Sequence, residues 1–391
     1  MTGERLRVGI DARALCGRFT GDRTYWMHLI RALLERAERG LDGRPEYRLY
    51  ARTPLPADAP PLPAVATVHV IPSANDRLWT MFTWPRALRE DRMDVAHTQY
   101  TVPARAPCPV VTTIHDISFK LHPQWFRWRD RVLLNLTVPI ALRRSARVIT
   151  VSESSRRDIV TAYGVPESGV VATLLAAGPA YRPVPQETAR RLVKGLWGLD
   201  EPYLLSVGVL QPRKNLSMLL EAYALARREL GLRARLVITG KRGWGCETLT
   251  LALQRLGIED DVLLTGYVPD EHLPGLYSAA LAFVYPSLYE GFGLPPLEAM
   301  ACGCPALVSS APAMPEVAGE CAWLLPVEDP RAWAHAMTEI ATDGGLRERW
   351  SALGRTRSGA FRWDRTAALT ARVYAEAAAA RRPCSGRKGV P

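Results

Sequence analysis

The sequence predicts an α/β protein built from two doubly wound domains that face a central cleft. Three observations support this prediction. The chain has 391 residues, which is more than one hydrophobic core usually spans. Short apolar runs alternate with segments of helical periodicity, as in parallel sheets with helices on both faces. This alternation occurs twice, and residues 176–187, where proline and glycine gather, separate the two series.

Eleven apolar runs have the length and composition of buried strands. They lie at residues 6–12, 46–51, 67–72, 94–99, 109–115 and 146–152 in the first half, and at 203–209, 235–240, 261–267, 281–286 and 305–310 in the second. Amphipathic stretches such as residues 215–230 lie between them and predict helices. In doubly wound sheets, ligands bind beyond the carboxyl ends of the strands, so we expect function in the loops that follow these strands.

The same pattern predicts the domain boundaries. The first domain covers residues 1–182 and the second covers residues 183–365. A last helix at 366–382 has no strand after it, so it can lie on either domain, including back on the first. The basic tail at 383–391 is expected to be disordered.

The composition is that of a globular protein, with 48% hydrophobic and 23% charged residues. No run approaches the roughly 20 apolar residues that cross a bilayer. No signal peptide is recognisable at the start of the sequence, so we expect a cytoplasmic protein. The seven cysteines are scattered, and the close pair Cys302 and Cys304 lacks the other ligands of a zinc site. No metal site is therefore expected.

The net charge of +11 permits anionic partners such as nucleic acid, phosphorylated small molecules or an acidic membrane surface. Seven basic residues and one acid lie within residues 120–147, together with Trp125, Phe126 and Trp128. Two interpretations of this segment stay open. Either it attaches the first domain weakly to anionic lipid, or it is an ordinary helix whose aromatic side chains belong to the core.

The stretch YEGFGLPPLEAM, residues 289–300, sets two acids on either side of glycines and prolines. Glu290 is expected on the loop after a buried strand, and Glu298 in the first turn of a helix that begins at Pro296 and stops at Gly303. The glycines let backbone approach a ligand, and the helix start offers free N–H groups. The two acids are expected to face one ligand, although a favourable charge near a helix N-terminus explains Glu298 alone equally well.

A second loop carries two adjacent cations. Arg213 and Lys214 follow the strand that ends at Val209 and precede a helix that Asn215 or Ser217 can cap. Cations beyond a strand end are suited to neutralising a diphosphate. This loop and residues 289–300 both follow strands of the second domain, which favours a shared site over two solvated surface charges.

In the first domain, His115 and Asp116 lie at the end of one predicted strand and His97 ends another. Ligand contact and a structural hydrogen bond both stay open for these histidines. The loop after the first strand contains Gly21, which either lets a phosphate approach or forms a plain turn.

Several nucleotide-site motifs are absent from the sequence. It has no P-loop, no G-x-G-x-x-G after a strand, and no Asp-x-Asp pair to hold a metal on a diphosphate. If a diphosphate binds, cationic side chains have to replace the metal.

Together these loops resemble the retaining, nucleotide-sugar-dependent glycosyltransferases with two Rossmann-like domains, the GT-B type, family 4. The resemblance runs from about residue 6 to residue 377. Its most specific element is the E-x7-E motif, here EGFGLPPLE. The stretch from Gly208 to Asn215 matches G-x-L-x-P-R-K-N, and HTQYTVP, TIHDISF and VITVSESSRRDI match signatures of the first domain. The resemblance implies an acceptor-side first domain and a nucleotide-sugar-binding second domain.

The resemblance also implies roles for the two acids and the residues between them. Glu290 would contact the transferred sugar near its reacting carbon, and Glu298 would bind the ribose hydroxyls. Backbone N–H groups of four residues would hold the sugar: Gly291, Phe292, Gly293 and Leu294.

Four more residues receive roles from the same resemblance. Arg213 and Lys214 would bind the diphosphate and stabilise it as it leaves, without a metal. His115 would lie beside the sugar, and the loop around Tyr267 beside the base. One departure concerns the first-strand loop, where the family has G-x-G. Here Arg23 stands at the second glycine's position after Gly21, so a side chain is expected to replace backbone in holding the donor phosphates.

The activity implied is that of a retaining, metal-independent hexosyltransferase without a cofactor. GDP-mannose is the expected donor, and the acceptor is a glycan or a lipid-linked molecule in cell-surface polysaccharide synthesis, at the inner face of the membrane. A nucleotide-sugar epimerase or a glycan phosphorylase uses the same architecture and is the alternative. A non-catalytic binder of anionic polymers is a third possibility, and no nucleic-acid partner is expected.

Overall fold

The computed structural model describes residues 5–17, 21–243 and 247–380, and the basic tail at 383–391 lies outside them. Within these ranges thirteen strands form two sheets, and all strand pairs are parallel. The strands are β1 (Arg7–Asp11), β2 (Glu46–Ala51), β3 (Ala66–Val70), β4 (Val95–Gln99), β5 (Val110–Thr113), β6 (Arg147–Thr150), β7 (Val170–Ala172), β8 (Tyr203–Val207), β9 (Arg235–Thr239), β10 (Val262–Gly266), β11 (Ala282–Tyr285), β12 (Ala306–Ser309) and β13 (Trp323–Leu325).

Helices connect the strands, as parallel pairing requires. In the described chain they are α1 (Gly21–Glu38), α2 (Asp76–Leu78), α3 (Trp84–Glu90), α4 (Ser118–Leu121), α5 (Trp128–Arg144), α6 (Glu153–Tyr163), α7 (Gln186–Trp197), α8 (Leu216–Glu229), α9 (Glu247–Leu256), α10 (Leu273–Ala279), α11 (Leu294–Ala301), α12 (Met314–Ala318), α13 (Pro330–Thr342), α14 (Gly344–Gly359) and α15 (Trp363–Ala379).

The predicted α/β class with two doubly wound sheets is confirmed. Each of the eleven predicted strands overlaps an observed one. The sequence missed β7 and β13, which have three residues each and end their sheets. Strands this short show too little periodicity to be recognised.

The chain divides into two compact units. The first contains the described residues up to Ile117, then Trp128–Leu175, and the described chain from Arg362 onward. The second contains Ser118–Arg127 and Ala176–Phe361. The sequence predicted the boundary seven residues later, at 182/183. Residues 176–182 belong to the second unit because Tyr181 packs on Tyr277, with 6.1 Å between ring centroids.

In the first unit the strand order is β3-β2-β1-β4-β5-β6-β7. The inner strands β1, β4 and β5 are buried on both faces, and β4 and β5 bury polar side chains such as His97 and Thr113 among their apolar ones. The C-terminal helix α15 packs along α1 in this unit, and its Tyr374 hydroxyl lies 2.6 Å from His97 Nδ1. Arg36 of α1 also pairs with Asp364 of α15 at 2.8 Å. These long-range contacts place the last helix in the first unit.

In the second unit the strand order is β10-β9-β8-β11-β12-β13. The chain moves outward from β8 to β10 and then returns to lay β11 on the other side of β8. The carboxyl ends of β8 and β11 therefore flank the point where the strand order reverses. In doubly wound sheets this switch point opens a crevice in which ligands bind.

Candidate active site

The loop that follows β8 turns tightly over the sheet. A 3-10 turn at Pro212–Lys214 leads into α8, and Asn215 between them has a left-handed φ of 54°. The loop needs glycine at one neighbouring point, because a Cβ at Gly240 would lie 1.8 Å from the carbonyl oxygen of Gly208. The sequence suggested Asn215 as a side-chain cap of α8, but its side chain makes no capping hydrogen bond. Its amide instead donates to the Val327 carbonyl at 3.1 Å.

This turn directs Arg213 and Lys214 to the end of β11. Lys214 is buried, and its Nζ donates to Glu290 Oε1 at 2.6 Å and to the Tyr285 hydroxyl. Arg213 donates to Glu290 Oε2 at 2.5 Å and to the Tyr289 carbonyl at 3.1 Å. The two predicted cations and the first predicted acid thus form one ion cluster.

Glu290 accepts hydrogen bonds from four side chains. Besides the two cations, Tyr285 donates at 2.9 Å and Ser287 at 2.8 Å, both to Oε1. Burial alone would raise the pKa of Glu290, but the charges of Arg213 and Lys214 outweigh it and lower the pKa to about 2. The carboxylate is therefore ionised at any physiological pH.

Glu298 has different surroundings. Helix α11 begins at Leu294, two residues earlier than predicted, so Glu298 lies in its second turn and not in its first. The side chain is buried and accepts a long hydrogen bond of 3.4 Å from the Tyr277 hydroxyl. Burial and the nearby charge of Asp270 raise the pKa of Glu298 to about 8. The described structure gives this acid no cationic partner.

The four residues after Glu290 form the bend that leads into α11. Gly293 has a φ of 110°, and a Cβ there would lie 2.3 Å from the Met314 side chain, so only glycine fits. Phe292 is buried and packs edge-on against Phe361, with 5.8 Å between ring centroids. Its side chain belongs to the core, which leaves its backbone N–H as the group available to a ligand.

Tyr267 follows β10 and is 43% exposed, with Lys241 Nζ 4.4 Å from its ring centroid. A pocket of about 220 Å³ lies beside the ends of β9 and β10. Its lining includes Gly240, Arg242 and Thr265. The end of this strand pair thus offers an exposed ring and, beside Gly266, a cavity.

His115 in the first unit lies two residues past the end of β5. It packs edge-on against Tyr25 at 4.8 Å, and burial lowers its pKa despite the charges of Asp22 and Asp116. Its Nε2 is buried, lies 3.5 Å from Asp22 Oδ1, and makes no hydrogen bond with any described residue. A buried polar atom without a partner is a candidate for ligand contact.

The other histidine that the sequence singled out is structural. His97 is fully buried, its two ring nitrogens lie 2.6 Å from Tyr374 and 2.8 Å from Thr113, and burial lowers its pKa to about 3. His97 is therefore structural, whereas His115 Nε2 makes no hydrogen bond with a described residue and has Asp22 Oδ1 at 3.5 Å.

Gly21 begins α1 and shows no need for glycine, since a Cβ there would meet no described atom within 4 Å. Arg23 does not extend towards a ligand as expected. Its side chain is buried, Nε donates to the Leu15 carbonyl at 3.0 Å, and its guanidinium makes two 2.7 Å contacts with Asp58. Arg23 therefore stabilises the loop after the first strand through buried hydrogen bonds.

Sequence reasoning missed four side chains of the site. Tyr285 and Ser287 hold Glu290, and Tyr181 and Tyr277 surround Glu298. Tyr285 lies one residue before the end of the predicted strand 281–286 and Ser287 directly follows that strand, so their position gave a usable signal. Tyr181 and Tyr277 had no sequence signal that linked them to the site, because each reaches Glu298 only through tertiary packing.

In the part of the chain that the structure describes, no group of three or more His, Cys, Asp or Glu side chains is arranged to hold a metal ion. Cys302 and Cys304 are both buried, and burial raises the pKa of Cys302 to about 12. Its thiol is therefore protonated.

Comparisons with known proteins match both units. Residues 23–172 match the family model for Glycosyltransferase Family 4, and residues 190–357 match that for Glycosyl transferases group 1. The O-antigen chain mannosyltransferase B of Escherichia coli is 36% identical over 265 residues, which cover 68% of this chain and 69% of that protein. The serotype-specific mannosyltransferase WbdA of Escherichia coli is 29% identical over 69% of this chain, and the match spans 34% of WbdA.

Solved structures share the fold. Sucrose-phosphate synthase from Thermosynechococcus elongatus superposes with a TM-score of 0.73 at 22% identity, covering 96% of this chain and 100% of that one. HepE from Anabaena in complex with UDP-glucose superposes with a TM-score of 0.68 at 16% identity, covering 96% and 100%. Similarity at these identities establishes the architecture alone.

Proposed function

Because the chain belongs to the family-4 glycosyltransferases of the GT-B fold, we propose that it transfers mannose from GDP-mannose to a glycan or lipid-linked acceptor. The observation that carries this proposal is the cluster of half-buried Arg213 with buried Lys214 and Glu290 at the switch point of the second sheet. The matched Escherichia coli proteins named as mannosyltransferases support mannose as the sugar. We place the reaction in cell-surface polysaccharide synthesis, in the cytoplasm at the inner face of the membrane.

Arg213 and Lys214 are proposed to bind the donor diphosphate. Two cations against one carboxylate leave the cluster with one positive charge, which attracts a nucleoside diphosphate. Both cations are held by Glu290 before the donor arrives, so little rearrangement is needed when charge develops on the leaving group. The same two side chains can stabilise that charge, which supports a reaction without a metal.

Glu290 is proposed to face the anomeric carbon of the transferred sugar, where positive charge grows as the diphosphate departs. Its two oxygens already accept hydrogen bonds from four donors, which makes this carboxylate a weak nucleophile. That favours attack on one face over a double displacement through a glycosyl-enzyme. The bond from the anomeric carbon to the diphosphate breaks, the acceptor oxygen bonds to the same face, and its proton passes to the leaving phosphate. The anomeric configuration is then retained.

The remaining donor contacts follow from the second unit. Backbone N–H groups of the bend after Glu290 are proposed to hold the sugar. Glu298, among Tyr277 and Tyr181, is proposed to bind the ribose hydroxyls, since a carboxyl group accepts and donates to adjacent hydroxyls. The pocket of about 220 Å³ near Tyr267 is proposed for the base.

In the first unit, His115 stays the predicted contact for the sugar. The buried Nε2 supports this role, because it makes no hydrogen bond with a described residue and a sugar hydroxyl would supply one. Gly21 stays a prediction without structural support, since neither its conformation nor its surroundings require glycine.

The test is acceptor-dependent release of the nucleoside diphosphate from the purified full chain, with GDP-mannose and UDP-glucose compared in parallel. We expect GDP release only when acceptor is present, the same rate in a chelator, and a product that keeps the anomeric configuration of the donor. Donor conversion without acceptor would identify an epimerase, and dependence on inorganic phosphate would identify a phosphorylase. Faster release of UDP than of GDP would refute the mannose assignment.

A further inference from the structure

The basic, aromatic segment at residues 120–147 is shared between the two units: residues up to Arg127 belong to the second and residues from Trp128 onward to the first. Trp125 stacks on His122 at 4.1 Å in the second unit, and Phe126 packs edge-on against Phe119 at 6.5 Å. These two aromatic side chains are half-buried there and do not form a lipid-facing surface. Trp128 instead begins α5 in the first unit and is 65% exposed.

One face of α5 carries a row of exposed apolar side chains. Trp128, Val132, Leu136 and Ile140 recur every four residues, so they lie along one face, and Leu133 widens the row. These five are a third of the fifteen exposed large apolar side chains in the described chain, within a helix of 17 residues. The opposite face packs inward through Val138, Ala141 and Leu142. The exposed row, defined by its five residues, is hereafter the α5 face.

Two arginines, Arg129 and Arg143, lie on the same side of α5 as the α5 face and have no acidic partners among the described residues. Within the described ranges, Arg129 and Arg143 form no ion pair, and Arg129 lies 5.4 Å from the Trp128 ring. The one acid on α5 is Asp130. The α5 face therefore combines apolar area with positive charge that the protein itself leaves uncompensated.

This combination selects one class of partner. A second copy of this chain would bring its own uncompensated arginines against these, so like charges would oppose such a dimer. A soluble polyanion would use the arginines and leave the five apolar side chains in water. A bilayer with anionic headgroups satisfies both, because a helix in the interface plane buries its apolar face at the headgroup boundary while arginines contact phosphates.

We propose that the α5 face binds the surface of an anionic lipid bilayer, reversibly and with α5 parallel to the membrane plane. The proposal rests on the proposed function only for its consequence: it would hold the transferase beside lipid-linked acceptors. Binding itself needs neither donor nor acceptor, so it is measured separately from catalysis.

The experiment is sedimentation of the full chain with vesicles of phosphatidylcholine containing about 30% phosphatidylglycerol, against phosphatidylcholine alone. We expect binding to the anionic vesicles that weakens several-fold between about 0.05 and about 0.5 M salt, as screening requires. Leu136→Asp should reduce the bound fraction about fivefold or more. Leu251→Asp is the matched control, because Leu251 is a helical leucine of the second unit exposed to 65%, against 63% for Leu136.

The possible results distinguish membrane binding from dimerisation and from failure of the proposed function. Absence of salt-sensitive binding to anionic vesicles overturns the proposal, as does equal loss of binding in Leu251→Asp and Leu136→Asp. A wild-type dimer that Leu136→Asp dissolves, with no vesicle binding, would assign the face to a second copy instead. The rise in Tm with GDP should be the same in wild type and Leu136→Asp. Failure of that GDP response in both proteins would count against the proposed function and leave the vesicle result standing.

Discussion

Glu290 and Glu298 lie eight positions apart in one motif, and both are buried, yet their ionisation is opposite. Glu290 receives two cations and two hydroxyls, which lower its pKa to about 2. Glu298 has tyrosines around it and the like charge of Asp270 nearby, which with burial raise its pKa to about 8. Burial acts on both acids in the same direction, so the neighbouring charges decide which of them stays ionised.

The comparison teaches that one motif can hold two acids for different tasks. An ionised carboxylate clamped between cations stabilises charge that changes during a reaction. A carboxyl group that carries a proton near neutral pH is suited to binding hydroxyl groups that the reaction does not change. If this division is right, substitutions at the two sites should affect different kinetic constants.

The largest effect is expected from Lys214→Ala, which breaks the Glu290 cluster. It removes one of two cations and leaves a buried carboxylate with less compensation, so kcat should fall about 10³-fold and stability by roughly 3 kcal/mol. Steady-state kinetics and thermal unfolding check this. Lys194→Ala is the control, because Lys194 pairs with Asp200 on the surface of the same unit. A lower Tm with unchanged kcat would make the cluster purely structural.

Glu290→Gln tests the ionised member of the comparison with a nearly isosteric change. The carboxylate charge that favours the transition state disappears, so kcat should fall roughly 10²-fold or more. Donor affinity should not weaken, because Arg213 and Lys214 remain and lose their competitor for the diphosphate. Calorimetric titration with donor measures this. Weaker donor binding at unchanged kcat would reverse the roles of the two acids.

Glu298→Ala tests the other member. If the side chain binds ribose equally in ground and transition states, its loss raises the donor KM by about 10-fold and leaves kcat within a few-fold. A donor analogue without the ribose hydroxyls should then bind wild type and variant alike. The same loss of kcat as in Glu290→Gln would remove the distinction between the acids.

The smallest expected effect is the change with pH in the contribution of Glu298 to the stability of the folded chain. The pKa of Glu298 is about 8 in the folded chain and about 4.5 when unfolded, so the folded state binds more protons between these values. The contribution of this group to stability is therefore present at low pH and is lost as pH rises towards 8.

Glu298→Gln has no such proton to lose. Its Tm relative to wild type should therefore rise by a few degrees between about pH 5 and about pH 8.5. Thermal scans of both proteins across that range measure the difference. A constant difference would mean that Glu298 is already ionised at neutral pH, as Glu290 is.

Much of the fold and the outline of the site were predictable, because their signals are local. Parallel strands buried on both faces appear as continuous apolar runs, and their loops fix which residues lie at carboxyl ends. The strand order that sets β8 beside β11 was not readable, although it brings Arg213 and Lys214 to Glu290. Pairing between strands that are far apart in sequence produces no periodic pattern along the chain.

The weakest predictions failed where a side chain found a distant partner. Arg23 was expected at a phosphate, but Asp58, 35 residues away, holds its guanidinium. Trp125 and Trp128 were grouped as one surface, yet they belong to different units. The last helix was open between the two domains, and the contact of Tyr374 with His97 places it in the first unit, one of the two predicted positions.

The sequence by itself determined the α/β class, the two series of strands and the presence of acids and cations at strand ends. These properties depend on spacing along the chain, which periodicity and loop chemistry reveal. Only the tertiary structure decided which acid is ionised, which histidine has a buried nitrogen without a hydrogen bond, and which face of α5 is left exposed. Those properties depend on burial and on charges brought together from distant positions, and no local pattern encodes them.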